Sequence, residues 1–218
     1  MQDLSITQEY LLCALTEKGV IPSFSIESPV CVVAGGIIEL LQSQIVMFDE
    51  KKKLSVIGDL NQELIHLKSL YEWIQNEKPM KIEKLVGEYA MSFSGKKMKK
   101  LISDIGNSLD KADCVCTESG GIFGTKSCFI PNAKEVDKVI QKIRAELLDD
   151  GEISEETVAL VSLLDKSKLL KKYFSKYESK QLKNRLQDIK KTSSNLLVKQ
   201  MVEYVETMVA VIAAISAS

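Results

Sequence analysis

Apolar residues recur every three or four positions along most of the chain, the spacing of helices that bury one face. The clearest example covers residues 155–175, EETVALVSLLDKSKLLKKYFS, where a broad apolar stripe lies opposite a lysine-rich face. We predict that this stretch forms one helix. The same spacing, with caps and Gly or Pro breaks, predicts further helices over residues 7–16, 30–43, 60–77, 82–92, 96–111, 133–149, 177–189 and 195–215.

Two segments alternate apolar and polar residues instead, which predicts β-hairpins. The first covers residues 44–57, with IVMF and LSVI on either side of the turn DEKKK. The second has strands at 114–117 and 127–130 around the turn ESGGIFGTK. The order helix, helix, hairpin therefore occurs twice in the N-terminal two-thirds. We predict a mainly α fold, a compact helical bundle with two small β-hairpins, in a single domain over residues 1–218.

The charge balance narrows the choice of partners. Twenty-nine basic and thirty acidic residues give a net charge of −1, which argues against a protein devoted to nucleic acid. Almost all the basic residues are lysines, because Arg144 and Arg185 are the only arginines. Bidentate recognition of bases or phosphates by arginine is therefore nearly excluded.

Cysteine usage and the first residues of the chain predict the compartment. The five cysteines are an odd number, and residues 1–15 carry acidic and polar side chains where a signal peptide has its basic region. No apolar run reaches the roughly 18 residues of a membrane-spanning helix. We expect free thiols and a cytoplasmic protein that associates reversibly with the cytosolic face of a membrane.

No constellation of residues in the sequence indicates catalysis, a metal or a cofactor. His66 is the only histidine, and we expect it to be structural or exposed because no Ser or Cys partner with an orienting acid can be named. Cys114, Cys116 and Cys128 lack the spacing of a zinc site. The segment GGIFG at 120–124 lacks the Lys-Ser/Thr of a phosphate-binding loop. We therefore expect a protein that is not an enzyme.

A run of lysines at the predicted start of a helix is the strongest candidate site. Residues 96–100, KKMKK, place Lys96, Lys97, Lys99 and Lys100 around one methionine. The helix dipole makes this an unfavourable place for cations, but ammonium groups beside helix N-terminal N–H groups suit a phosphate. Near an acidic membrane each lysine contributes about 1 kcal/mol. Nucleic acid and a merely solvated helix start are the alternatives.

Six segments, taken in order, resemble the Golgi phosphoprotein 3 family over nearly the whole chain. They are LSITQEYLLCAL, AGGIIELLQSQIVM, IGDLNQELIHLKSLYEWI, SLDKADCV, VALVSLLDKSKLLKKYF and VAVIAAISAS. The resemblance implies a mainly helical fold with a β-hairpin used in self-association. It also implies a role like that of eukaryotic members, which bind phosphatidylinositol 4-phosphate and act as adaptors that retain glycosyltransferases in the Golgi.

The resemblance also implies where a lipid site lies. The family's pocket uses a Trp, which corresponds to Phe24 here, an Arg, which corresponds to Val33, and a later basic pair, which falls within or beside residues 96–100. Val33 removes a charge-assisted bond to phosphate, worth about 1.5–3 kcal/mol. What the resemblance implies for this chain is therefore binding of anionic lipid headgroups in general.

We consequently expect a non-enzymatic peripheral membrane adaptor in which Phe24 enters the headgroup region and the lysine run contacts phosphate. Its expected partners are an anionic membrane lipid, a cargo protein and a second copy bound through the first hairpin. One alternative is a winged-helix protein with residues 96–111 as its recognition helix, although arginine, the commonest reader of guanine, is scarce. The other is an oligomeric scaffold that pairs through the edge of the hairpin at 44–57.

Overall fold

The computed structural model describes residues 3–22, 27–90, 95–120, 126–149 and 152–192, with residues 203, 206, 207 and 210. The helices are α1 Ile6–Ala14, α2 Glu27–Gln42, α3 Lys68–Asn76, α4 Ile82–Ala90, α5 Lys96–Lys111, α6 Ala133–Leu147, α7 Glu155–Lys166, α8 Leu170–Tyr173 and α9 Lys176–Thr192. The strands are β1 Val46–Phe48, β2 Lys53–Val56, β3 Met80–Lys81, β4 Val115–Gly120 and β5 Lys126–Pro131. The mainly α fold with two hairpins is confirmed.

Helices α1 and α2 form the centre of the core. Ser5 caps α1 with a capping box, in which the N–H of Gln8 donates to the hydroxyl of Ser5 and the N–H of Ser5 donates to the side chain of Gln8. Helix α2 is apolar nearly all round and is buried over most of its length, as predicted. Gly36 allows close packing there, because a Cβ at this position would lie 2.8 Å from Leu70 Cδ2.

The first hairpin belongs to a three-stranded antiparallel sheet with the strand order β1-β2-β3. Strand β3 was not predicted from the sequence, which gave residues 44–57 as a β-hairpin. Its two residues pair with β2, Lys81 opposite Lys53 and Met80 opposite Leu54. Leu54 and Met80 are buried, so one face of the sheet packs on the core and the other faces outward.

The second hairpin is anchored through the loop after α1. The N–H of Phe129 on β5 donates to the carbonyl of Gly19 at 2.9 Å. Gly19 has a φ of 69°, and a Cβ on it would lie 2.6 Å from the backbone nitrogen of Phe129. Only glycine satisfies both the left-handed backbone and this close approach.

The helix predicted over residues 155–175 is two helices. Helix α7 ends at Lys166, Lys168 adopts a φ of 63°, and α8 begins at Leu170. The N–H of Leu169 donates to the carbonyl of Leu164 at 2.8 Å. This bond, with the left-handed backbone of Lys168, is that of a Schellman motif, which ends an α-helix. The apolar stripe was predicted correctly, because Leu164 and Leu170 are both buried, but its continuity was wrong.

Two other predicted helices do not match a single helix of the described structure. The segment 60–77 was predicted as one helix, but a 3-10 turn at Ile65–Leu67 precedes α3. The predicted helix at 195–215 falls mostly outside the described residues.

Candidate basic site at the start of α5

The lysine run opens α5, whose bounds are those predicted from the sequence. Gly95 precedes the helix with a φ of 58° and provides no side-chain cap. The inner face of α5 is buried, as predicted, through Met98, Leu101, Ile105 and Leu109. The first turn therefore carries its lysines on the remaining faces of the helix, beside backbone N–H groups that no cap side chain satisfies.

Lys97 is directed toward α3 and α4. Its ammonium lies 2.5 Å from Glu88 Oε2 and 4.6 Å from the centroid of the Trp73 ring. Trp73 in turn makes an edge contact with Tyr89, with ring centroids 5.4 Å apart. The hydrogen bond from Lys97 and its charge hold the pKa of Glu88 below its ordinary value. Lys97 therefore connects α5 to α3 and α4, and its charge is less available to a ligand than that of a lysine without such contacts.

The other three lysines of the run are exposed. Lys100 forms an ion pair with Asp104 one helical turn further along α5. Lys96 and Lys99 are three positions apart, so they project from the same side of the helix. Lys99 makes no ion pair with any described residue. The structure therefore gathers the four predicted lysines at the start of α5, and it pairs Lys97 and Lys100 with carboxylates.

The other two predicted pocket positions, Phe24 and Val33, do not add a contact to the lysines in the described structure. Phe24, the predicted apolar tip, lies outside the described residues. Val33 is fully buried in α2, so its side chain contacts the core and cannot reach a headgroup. The geometric relation between Phe24 and the lysines therefore stays a prediction.

A buried polar network around His66 was missed by the sequence analysis. His66 Nε2 lies 3.1 Å from Ser5 Oγ and 3.1 Å from Glu39 Oε2. The other oxygen of Glu39 accepts the N–H of Thr7 in the first turn of α1. A hydrolytic triad needs the acid and the nucleophile on opposite ring nitrogens, whereas both partners here contact the same one. The arrangement connects α1, α2 and the 3-10 turn without catalytic geometry.

One sequence signal could have indicated this network. Glu39 is the only charged residue of α2 after Glu27 in the first turn, and a buried carboxylate needs donors close by. The partners lie 27 and 32 residues away in the chain, so no spacing rule could name them.

The three cysteines near the second hairpin are free thiols that differ in exposure. Cys114 is buried, Cys116 is exposed and Cys128 is partly exposed. Across the described part of the chain, no three His, Cys, Asp or Glu side chains are close enough to hold a metal ion.

Comparison with protein families settles the relationship of the chain. The family model described as Golgi phosphoprotein 3 (GPP34) matches residues 6–208. The chain belongs to the Golgi phosphoprotein 3 family. A comparison with curated proteins finds no match. The matched span of this Golgi phosphoprotein 3 domain includes the lysine run, Phe24, Glu39 and His66.

Two further observations bear on how this Golgi phosphoprotein 3 domain can bind. Helix α5 contacts α1, α3, α4 and β4. The side of the helix with the lysines also carries the exposed Asp110 and the mostly covered Asp104, which pairs with Lys100. Carboxylates on that side disfavour the alternative that α5 lies in a DNA groove. Within the described ranges, every helix is too short or too polar to cross a bilayer.

Proposed function

We propose that this protein is a peripheral membrane adaptor that binds anionic lipid headgroups at the start of α5. The observation that carries the proposal is the exposure of Lys96, Lys99 and Lys100 on one helical turn, in a chain of the Golgi phosphoprotein 3 family. Exposed lysines near an acidic surface attract it without specific geometry. Phe24 remains the proposed apolar tip, and Lys97 positions the turn through Glu88 and Trp73.

The proposal includes a non-enzymatic role. The buried His66 network lacks triad geometry, and the family resemblance supports an adaptor that links a lipid surface to a cargo protein. We place this adaptor on the cytosolic face of a membrane, and we propose that residues 1–218 act as one domain. Support for one domain comes from a single core that joins residues from α1 to α9.

Self-association through the first hairpin is part of the same proposal. Strand β1 lies at an edge of the three-stranded sheet. Edge strands present backbone groups that can pair with a second chain.

Flotation with vesicles tests the lipid proposal. The variant Lys96→Ala with Lys99→Ala removes two exposed charges and should weaken binding to vesicles containing phosphatidylserine or phosphatidylinositol 4-phosphate about thirtyfold. The matched control, Lys176→Ala with Lys180→Ala, removes two exposed lysines one turn apart on α9 and should bind like the wild type. Equal binding by both variants, or no binding of the wild type to anionic vesicles at low salt, would contradict the proposal.

A further inference from the structure

The outward face of the three-stranded sheet combines apolar and basic side chains. Direct pairing places Lys53 opposite Lys81 and Met47 opposite Ser55, and alternation along β2 puts all four on one face. Ile57 follows two residues after Ser55, and its exposed side chain continues this face. We name the set the outer sheet face, composed of Met47, Lys53, Ser55, Ile57 and Lys81.

The apolar members of the outer sheet face are open to solvent. Met47 is 46% exposed and Ile57 is 55% exposed, whereas Leu54 and Met80 on the opposite face are buried. Single exposed apolar residues are common on protein surfaces. Two of them on one sheet face, next to cations, form a local amphipathic surface.

The basic members are not neutralised within the described protein. Lys53 and Lys81 are direct cross-strand partners, an arrangement in which like charges repel. Neither ammonium pairs with a carboxylate of any described residue. Residues 46–56 and 78–81 together hold five lysines against one aspartate and one glutamate.

The nearby carboxylates do not offset this excess. Asp49 Oδ1 accepts the backbone N–H groups of Lys51 and Lys53 at 2.9 and 2.8 Å, so it is engaged in the hairpin turn. Glu77, just before β3, pairs instead with Lys84. In contrast, two of the four lysines at the start of α5 have carboxylate partners.

We propose that the outer sheet face is a second membrane-contacting surface, which binds an anionic bilayer. Phosphate and carboxylate headgroups would relieve the repulsion between Lys53 and Lys81, while Met47 and Ile57 enter the boundary between headgroups and acyl chains. Lysine stems suit this position because they lie along apolar material and keep the ammonium among the headgroups. An acidic peptide would match the lysines but leave the two apolar side chains in water, so the bilayer fits better.

This inference rests on the proposed function only in that the protein meets a membrane. It concerns different residues, and strand β3, which brings Lys81 beside Lys53, is the feature that creates the surface. Two weak contacts with one bilayer would reinforce each other, since the second contact becomes intramolecular once the first has formed.

Sedimentation with vesicles of phosphatidylserine and phosphatidylcholine tests the inference in the full-length protein. Lys53→Ala with Lys81→Ala should lower binding about thirtyfold, and Met47→Ser with Ile57→Ser should lower it about tenfold or more. The matched controls are the lysine pair Lys176→Ala with Lys180→Ala and the exposed apolar pair Ile65→Ser with Tyr177→Ser. Thermal melting should show folded proteins, because all four sheet residues point away from the core.

The outcomes separate the inference from the proposed function. If the sheet variants bind like the wild type while Lys96→Ala with Lys99→Ala loses binding, the inference is wrong and the function at α5 stands. If the lysine pair on the sheet matters and the apolar pair does not, the entry of Met47 and Ile57 into the bilayer is overturned, because the contact is then purely electrostatic. If the wild type binds no anionic vesicle, both proposals fail.

Discussion

At the scale of single residues, the buried carboxylate of Glu39 shows how a polar side chain is accommodated inside the core. Glu39 is almost fully buried, yet both of its oxygens have donors, one from Thr7 and one from His66. The N–H of Thr7 is among the helix-start amides that no α-helix satisfies by itself. Glu39 therefore caps α1 from a different helix, in addition to the local cap made by Ser5.

Replacing Glu39 with leucine should destabilise the fold by about 2 kcal/mol, because the buried N–H of Thr7 loses its acceptor. Urea unfolding measures the effect as a lower midpoint with an unchanged slope. The control Glu63→Leu removes an exposed carboxylate and should change the free energy of unfolding by less than about 0.5 kcal/mol. A variant as stable as the control would show that Glu39 is not needed as a cap.

Residue roles could be predicted from the sequence where periodicity determines them and not where a distant partner does. The buried face of α5 followed from helical spacing alone. The different contacts of the four lysines could not be predicted in this way, because Lys97 meets Glu88 and Trp73 only after α3 and α4 have packed beside α5. Charge in the sequence is therefore an upper bound on charge available to a ligand.

At the scale of elements, one arginine attaches the last fully described helix to the rest. The guanidinium of Arg144 on α6 donates to Glu178 on α9 at 2.9 Å and to the carbonyl of Tyr173 at 3.3 Å. It also lies 5.2 Å from the ring centroid of Phe174. The fork of donors in arginine can hold α6, α8 and α9 together, which a lysine could not do as well.

The contribution of the Arg144–Glu178 contact to stability should be lost at low pH. The hydrogen bond from Arg144, followed by that from Ser175, lowers the pKa of Glu178 from 4.5 to about 2. The pKa of Glu178 is lower in the folded protein than in the unfolded chain, so the ionised carboxylate stabilises the fold. This stabilisation is complete at pH values above the unfolded-state pKa and is lost as the pH falls toward 2. Glu178→Gln should therefore flatten this part of the stability curve, measured by urea unfolding at several pH values between about 5 and 2.

The comparison for that experiment is Glu152→Gln, which changes an exposed carboxylate before α7. Its stability curve should keep the steepness of the wild type. Parallel curves for the wild type and Glu178→Gln would mean that the contact with Arg144 does not persist in solution.

Elements were predictable when they were long and were missed when a few residues determined them. Nothing in the sequence marks the break after α7, because Lys168 adopts a left-handed backbone in place of the usual glycine. Strand β3 has only two residues, and it exists because β2 lies beside it. Alternation cannot be detected over so short a stretch.

At the scale of the whole molecule, a net charge of −1 conceals two basic surfaces. One is the start of α5 and the other is the outer sheet face, and both depend on where folding places the lysines relative to the carboxylates. Composition argued correctly that the protein lacks a general positive excess. It could not show where positive charge is concentrated, because that depends on tertiary pairing.

Self-association through β1 should raise the mass seen by light scattering above the 24.3 kDa of one chain as the concentration increases. Met47→Lys places a charge on this exposed edge strand and should reduce the effect, since charged edges discourage pairing. Tyr177→Lys alters an exposed side chain on α9, which is 71% exposed, and should leave the mass unchanged. A monomer at every concentration would remove this part of the proposal.

The position of Trp73 gives the protein an optical reporter of its own. It is the only tryptophan in the chain, and its ring lies 4.6 Å from the ammonium of Lys97. Indole emission is sensitive to nearby charge, so an ion or headgroup that approaches the first turn of α5 will alter the native fluorescence. Events at this end of the helix can thus be followed in the unlabelled, unmutated protein.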